Sequence, residues 1–356
     1  MRRFPAMILF LLILPPAWGQ WRQQTSGTDV QLRGVSAVSD RVAWASGAKG
    51  TVLRTVDSGE TWTKVNVPDA EALDFRDVQG FDQDTAFVLS IGPGEQSRIY
   101  KTIDGGKTWR LQFINKDPKA FYDCFAFWDP THGIALSDSV DGIFPLISTS
   151  DGATWNPVAV KSMPAALPAE GAFAASGTCI ATYGKKDVWF GTGGPAARVF
   201  HSSDRGANWT VAETPIVHGA ASQGIFSLLF WSKKDGVIVG GDYQDWTRTE
   251  RISAFTHNGG KSWSLSTQMP NGYRSGLSLW GPERDQLVAV GISGADLSQD
   301  GGKNWSGTRF DKPWTRTDAY AHNAVACART TCWAVGPHGR ISWSNRPSSI
   351  PGATLR

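Results

Sequence analysis

Short runs of apolar and β-branched residues, each closed by a tight turn, set the rhythm of this chain. Leu32 to Val38, Arg41 to Ser46 and Thr51 to Thr55 read as three consecutive strands, with turns at Ser39-Asp40 and Gly47-Ala48-Lys49-Gly50. The second of these strands returns as Val188 to Gly191, Val237 to Gly240 and Leu287 to Gly291. Insertions fall mainly between such units. The longest, Lys161 to Gly171, is rich in Pro and Ala and reads as a surface loop.

One motif recurs after the third strands. It runs Thr55-Val56-Asp57-Ser58-Gly59-Glu60-Thr61-Trp62 and Thr102-Ile103-Asp104-Gly105-Gly106-Lys107-Thr108-Trp109, then Ser202 to Trp209 around Asp204 and Ser298 to Trp305 around Asp300. Two copies are degenerate: Thr256 to Trp263 carries Asn258 in place of the aspartate, and Ser148 to Trp155 carries Ser150 there, with Asp151 one place late. The carboxylate suits turn amides, glycine tolerates positive φ, and the tryptophan is placed to pack between adjacent sheets.

Trp62, Trp109, Trp155, Trp209, Trp263 and Trp305 are 47, 46, 54, 54 and 42 residues apart, the size of a propeller blade. Trp21 lies 41 residues before Trp62 and precedes the strand-like Arg22-Gln23-Gln24. Gly339 to Ser344 reads as a third strand that has no fourth of its own. The fold expected is therefore all-β: a seven-bladed β-propeller over residues 20–346, closed by an N-terminal strand that completes the last blade, with a C-terminal tail at 347–356. Closure removes the open sheet edge that invites aggregation.

The repeat resembles the Asp-box, or bacterial neuraminidase repeat, and its expected role is a structural turn. Composition fits: 39 glycines and 17 tryptophans accompany only 19% charged residues. Met1-Arg2-Arg3, the apolar stretch from Met7 to Leu14 and Ala17-Trp18-Gly19 form a secretory leader pattern, predicting cleavage after residue 19 and a periplasmic or extracellular protein. No later stretch is long enough to span a bilayer. Loss of Arg2 and Arg3 takes the formal charge from +3 to +1, which calls for neither nucleic acid nor an acidic membrane. Cys327 and Cys332 flank a turn-like tetrapeptide and form a candidate disulfide; Cys124 and Cys179 are left for each other or free. A monomer is expected.

Alternation of the connections puts the aspartate turns on one face and the inter-blade loops and second-to-third turns on the other. Alignment by first strands gathers Arg33, Arg76 and Asp123 at the channel mouth of that second face. Ser176, Phe226, Tyr273-Arg274-Ser275 and His322-Asn323 join them by a looser alignment, and Asp138, Asp242, Tyr243 and His338 come from turns. Two readings are open. The arginines hold a carboxylate, phosphate or acidic peptide, or they pair with Asp123 or Asp77 as channel filling.

No nucleophile elbow, phosphate loop or zinc motif is present, and the six histidines lack metal-ligand spacing, so no metal or cofactor is expected. Sialidases share the repeat and use an arginine triad, a tyrosine nucleophile with a glutamate, and an aspartate acid/base. Arg33, Arg76 and Arg274 imitate the triad, but no Arg-Ile-Pro signature is present and no glutamate is placed beside Tyr273 or Tyr243. The regular Asp-Gly-Gly-Lys boxes and the Ala-Val-Gly second strands at 289–291 and 334–336 are similar to the photosystem II stability and assembly factor-like proteins. That resemblance implies a non-enzymatic binding or assembly scaffold with an arginine-bearing face. The expected function is recognition of a polar or acidic peptide, or a glycan, at the mouth; the alternative is a sialidase-like glycoside hydrolase.

Overall fold

The computed structural model describes residues 21–281, 285–307 and 321–345. The predicted leader and the tail at 347–356 lie outside them. In the described residues the expected strands pair into seven four-stranded antiparallel sheets. Their innermost strands are Leu32–Ala37, Asp74–Gly80, Tyr122–Asp129, Ile180–Tyr183, Gln223–Phe230, Gly276–Leu279 and Ala324–Cys327, which begin blades one to seven.

Blades one to six are each continuous in sequence. Blade seven is completed by Arg22–Gln24, whose residues lie opposite Trp343, Ser342 and Ile341, so the expected closure of the ring is what the structure shows. Gln24 also fastens the closing strand to blade one: its side-chain oxygen accepts the Trp62 indole N–H at 2.9 Å, and its amide donates to the Ser58 carbonyl at 2.8 Å.

Each sheet is covered on both faces by its neighbours, which is why strands such as Ala43–Gly47, Leu287–Gly291 and Thr331–Val335 are buried along their whole length. Strands in that situation are written as continuous apolar runs rather than alternating ones. Seven apolar cores fill the spaces between adjacent blades, and each contains one tryptophan of the repeat series: 62, 109, 155, 209, 263 and 305, with Trp21 in the core between blades six and seven. Trp21 therefore takes the place of the seventh repeat tryptophan.

The recurrent turn is held by side chains. In blade one the Thr55 hydroxyl donates to Asp57 and accepts the Gly59 amide, both at 2.8 Å, while Asp57 accepts the Thr61 amide at 3.0 Å and its hydroxyl at 2.6 Å. The same set recurs around Asp104, Asp204 and Asp300, and Asn258 reproduces it with its amide. Blade three corrects the alignment started at Ser148. There Thr149 supplies the hydroxyl and Asp151 the carboxylate, in a turn one residue shorter. The turns bond to the first-to-second turns of their own blades, as Ser58 does to Arg41 and Gly105 to Asp84, so both lie on one face.

All four cysteines are paired. Cys327 and Cys332 sit opposite each other across the first hairpin of blade seven. Cys124 and Cys179 join blades three and four across 55 residues.

Candidate functional site: a strapped channel mouth

On the face opposite the aspartate turns, four innermost strands carry a register break near their start. The residue left out of the pairing is Arg33 in blade one, Arg76 in blade two, Asp123 in blade three and Phe226 in blade five. A bulge re-aims its extra residue, and these four are turned toward one another at the mouth. Arg33 feels Arg76 directly: burial, followed by repulsion from Arg76, pulls its guanidinium down to about 10.

The mouth is not open. Residues 171–178, between blades three and four, run across it as a strap. The Ala172 amide donates to Asp138 at 2.8 Å. Arg76 donates to the Ala174 carbonyl at 3.0 Å and Arg33 to the Ala175 carbonyl at 3.5 Å. Ser176 donates to the Ser275 carbonyl at 2.6 Å, reaching blade six. Phe173 stacks on Phe226 with ring centres 3.8 Å apart, in a space that exists because residue 193 is glycine: a Cβ there would come within 2.3 Å of the ring. Gly177 has φ +77°, and a Cβ on it would lie 2.3 Å from the Asp77 carboxylate. The strap is anchored at one end by buried Glu170, which is paired with Arg198 and bonded by Thr192, and at the other by the Cys124–Cys179 disulfide.

The segment 161–171 is thus more than the surface loop expected. Lys161 bonds to Ala207 beside the blade-four aspartate turn, and the chain then crosses to the mouth, where Glu170 is buried. Ser176, expected on a first strand, belongs to the strap, and the innermost strand of blade four starts only at Ile180.

Arg274 requires a further correction. Its amide bonds to the Gly240 carbonyl of the preceding blade, as the Leu32 amide bonds to Gly336, so Arg274 occupies the core position of Leu32 and Ser275 takes the mouth position. The guanidinium is fully buried and ion-paired with Asp296. Its N–H groups go to Asp296, the Tyr273 and Asn271 carbonyls and Ser293, leaving no donor for a ligand. His322 holds the same core position in blade seven, accepting or donating with Ser342 at 2.9 Å and lying against the Trp21 ring. Asn323 stands at the mouth level instead, its amide donating to the Leu32 carbonyl at 2.7 Å.

The remaining expected residues divide between scaffold and surface. Asp242 accepts from Gln223 and from the Gln244 and Asp245 amides, which makes it a turn-former, and Asp138 holds the strap. Tyr273 is buried with its ring edge-on to Phe226, and burial raises its phenol far above the usual range. Tyr243 is 44% exposed at the rim. Arg76 pairs with Asp74 at 2.8 Å and its side chain remains 27% exposed. Sequence reasoning missed Asp74, Glu170, Arg198 and Asp296, whose partners become visible only in the folded chain. Among the described residues no group of His, Cys, Asp or Glu is placed to hold a metal, and no helix is long and apolar enough to cross a membrane.

Two classes of carboxylate oppose each other in their pH response. Asp104, accepting from the Thr108 hydroxyl and amide, is held down at about 2. In Asp57 and Asp204 desolvation is outweighed by hydrogen bonds from Thr61 and from Asn208, and both are also held at about 2. At the mouth, burial pushes Asp138 up to about 6 and, with the nearby Asp138 charge, raises Asp123 well above the carboxylate range; burial does the same to Asp77. A depressed carboxylate stabilises the fold above its unfolded value, and that stabilisation is lost as pH falls toward the folded one. A raised carboxylate does the reverse: stability falls as pH climbs from the unfolded value through the folded one. Thermal unfolding should therefore be most resistant near pH 4 to 5, weakening below as the turns protonate and above, through about 6, as Asp138 ionises. Asp138→Asn should make the upper limb shallower, with Asp77 and Asp123 supplying what remains; a melting profile that rises steadily to pH 7 would contradict this assignment.

No family model matches the chain. Its structure is similar to "YCF48 bound to D1 peptide" at TM-score 0.63 and 13% identity, covering 94% of this chain and 99% of that one. It is similar to YCF48 from Cyanidioschyzon merolae at TM-score 0.59 and 18% identity, covering 92% and 99%, and to U3-55K at TM-score 0.63 and 10% identity, covering 91% and 98%. By sequence, 110 residues are 33% identical to the vacuolar protein sorting/targeting protein 10 of Fusarium vanettenii; they are 30% of this chain and only 7% of that protein. The chain is a seven-bladed β-propeller structurally similar to YCF48.

Proposed function

We propose that this protein is an exported, non-enzymatic binding or assembly propeller that grips a polar or acidic peptide segment at the strapped mouth. One observation carries the reading: the mouth already holds a peptide, its own residues 172–176, with Arg33 and Arg76 donating to main-chain carbonyls and Asp138 accepting from a main-chain amide. Groups that hold main chain suit an extended segment of another protein, and arginine adds affinity for carboxylates on it. A propeller of similar fold, YCF48, has been solved with D1 peptide bound, which supports a peptide as the class of ligand. The leader pattern supports export.

A sialidase-like hydrolase is less well supported, because Arg274 is committed to Asp296 and Tyr273 is packed beneath Phe226. Affinity capture from the exported proteins of the source organism, using the unmodified protein and Arg33→Ala/Arg76→Ala, tests the proposal. Partners should drop at least tenfold in the double variant while its melting temperature stays within a few degrees. An unchanged partner set would remove the mouth from consideration. Turnover of fluorogenic sialosides that is abolished by Tyr273→Phe would replace binding with catalysis.

A further inference from the structure

The strap makes its contacts in an unusual way for a structural plug. Apart from Phe173, Ser176 and Thr178, whose hydroxyl bonds to Ser227 at 2.6 Å, its bonds to the mouth use main-chain atoms of small residues, Ala172, Ala174 and Ala175, and these three do not depend on the strap's own sequence. It also leaves hydrogen-bonding capacity unused. Arg33 Nε, Asp74 Oδ1 and Asp123 Oδ2 are buried with no protein partner, although Asp123 is only 1% exposed. A buried polar atom without a partner destabilises the arrangement that leaves it so, so this occupant fits the site incompletely. Its anchors lie just outside it, at Glu170 and Cys179, and Gly171 and Gly177 stand at its two ends.

Resting on the reading of the mouth as a peptide site, we propose that residues 171–178 are an internal stand-in for the external peptide, which must displace them to bind. The strap occupies the groove of Arg33, Arg76, Asp123 and Asp138 and competes as a tethered ligand, whose effective concentration reaches the millimolar range. An incoming segment succeeds by satisfying the groups the strap leaves without partners. Phe173 then leaves the Phe226 ring, while the Glu170 and Cys179 anchors keep both ends in place. A segment with side-chain amides to donate to Asp74 and Asp123 and an acceptor for Arg33 therefore binds more tightly than the strap's own sequence does.

The test uses a fluorescein-labelled octapeptide of the strap's own sequence, Gly-Ala-Phe-Ala-Ala-Ser-Gly-Thr, as probe. Phe173→Gly/Ala174→Pro removes the stacking ring and one amide, and should free the groove. Fluorescence anisotropy should show saturable binding to this variant at least tenfold tighter than to the unmodified protein, and Arg33→Ala/Arg76→Ala in the same background should abolish it. Equal affinity for variant and unmodified protein, or a folded variant that takes no peptide at millimolar concentration, overturns the proposal. Binding to the variant that survives loss of both arginines upholds displacement of the strap and discards the arginine reading of the mouth. A second measurement does not depend on how the variant folds. In the unmodified protein, millimolar unlabelled octapeptide should accelerate amide exchange across residues 172–176 alone, and unaltered exchange there also overturns the proposal.

Discussion

A chain that begins at Ser26, lacking Trp21 and the strand Arg22–Gln24, should lose cooperative unfolding and collect in soluble aggregates. Three effects add. The core between blades six and seven loses its repeat tryptophan, a deletion of the kind that costs about 3 kcal/mol or more. Blade one loses the Gln24 bonds to Trp62 and Ser58, each on the order of 1 kcal/mol. Most damaging, Ile341–Asn345, a strand otherwise paired on both sides, becomes an unpaired edge. Since whole domains are stable by only about 5–15 kcal/mol, the sum removes most of the margin. Size-exclusion chromatography and denaturant unfolding of the two chains would show it; a truncated protein that stays monomeric and unfolds at an unchanged midpoint would mean that the ring does not need its N-terminal strand.

Arg274→Met should be the most damaging single substitution at a residue that resembles a ligand-binding arginine. It leaves Asp296, fully buried on the third strand of blade six, without its cation. Breaking a buried pair from one side costs about 3–5 kcal/mol, whereas replacing both partners with apolar residues is often close to neutral. Arg274→Met/Asp296→Leu should therefore recover much of the loss, and urea unfolding of the two singles and the double gives the coupling directly. Arg33→Ala offers the contrast, since Arg33 contacts the strap through one long bond of 3.5 Å and should cost far less. Equal losses for Arg33→Ala and Arg274→Met would return Arg274 to the mouth.

The architecture was legible because each blade declares itself through residues with a physical reason to recur. An aspartate satisfies the turn amides, glycine takes the positive φ beside it, and a tryptophan fills the space before the next sheet. Trp21 and the partnerless strand near Trp343 were enough to read the closure for the same reason. Arg33, Arg76 and Asp123 could be aligned because the residues around them, Leu-Arg-Gly-Val and Phe-Arg-Asp-Val, repeat the local pattern, and all three prove to be bulge residues.

The site was less legible where that pattern lapses. Tyr273-Arg274-Ser275 offers three candidates for one mouth position, and only the backbone bond from Arg274 to Gly240 decides that the arginine points into the core. The strap was invisible for a deeper reason. Its alanines hold the mouth through peptide groups, which every residue possesses, so composition and spacing carry no trace of the contact. Asp138 likewise reads as a turn aspartate until Ala172 is seen bonded to it.

Every assignment of a residue to the mouth or to the opposite face depends on the pairing of the first described strand with the last. Gln23 lies directly opposite Ser342, at a separation suited to a cross-strand disulfide, and the four native cysteines are already paired. Gln23→Cys/Ser342→Cys should therefore oxidise in the folded protein to a bond joining the two chain ends, identified by mass in an unreduced digest. Failure of that bond to form, with residue 23 remaining free to alkylation in the native state, would contradict the closed ring.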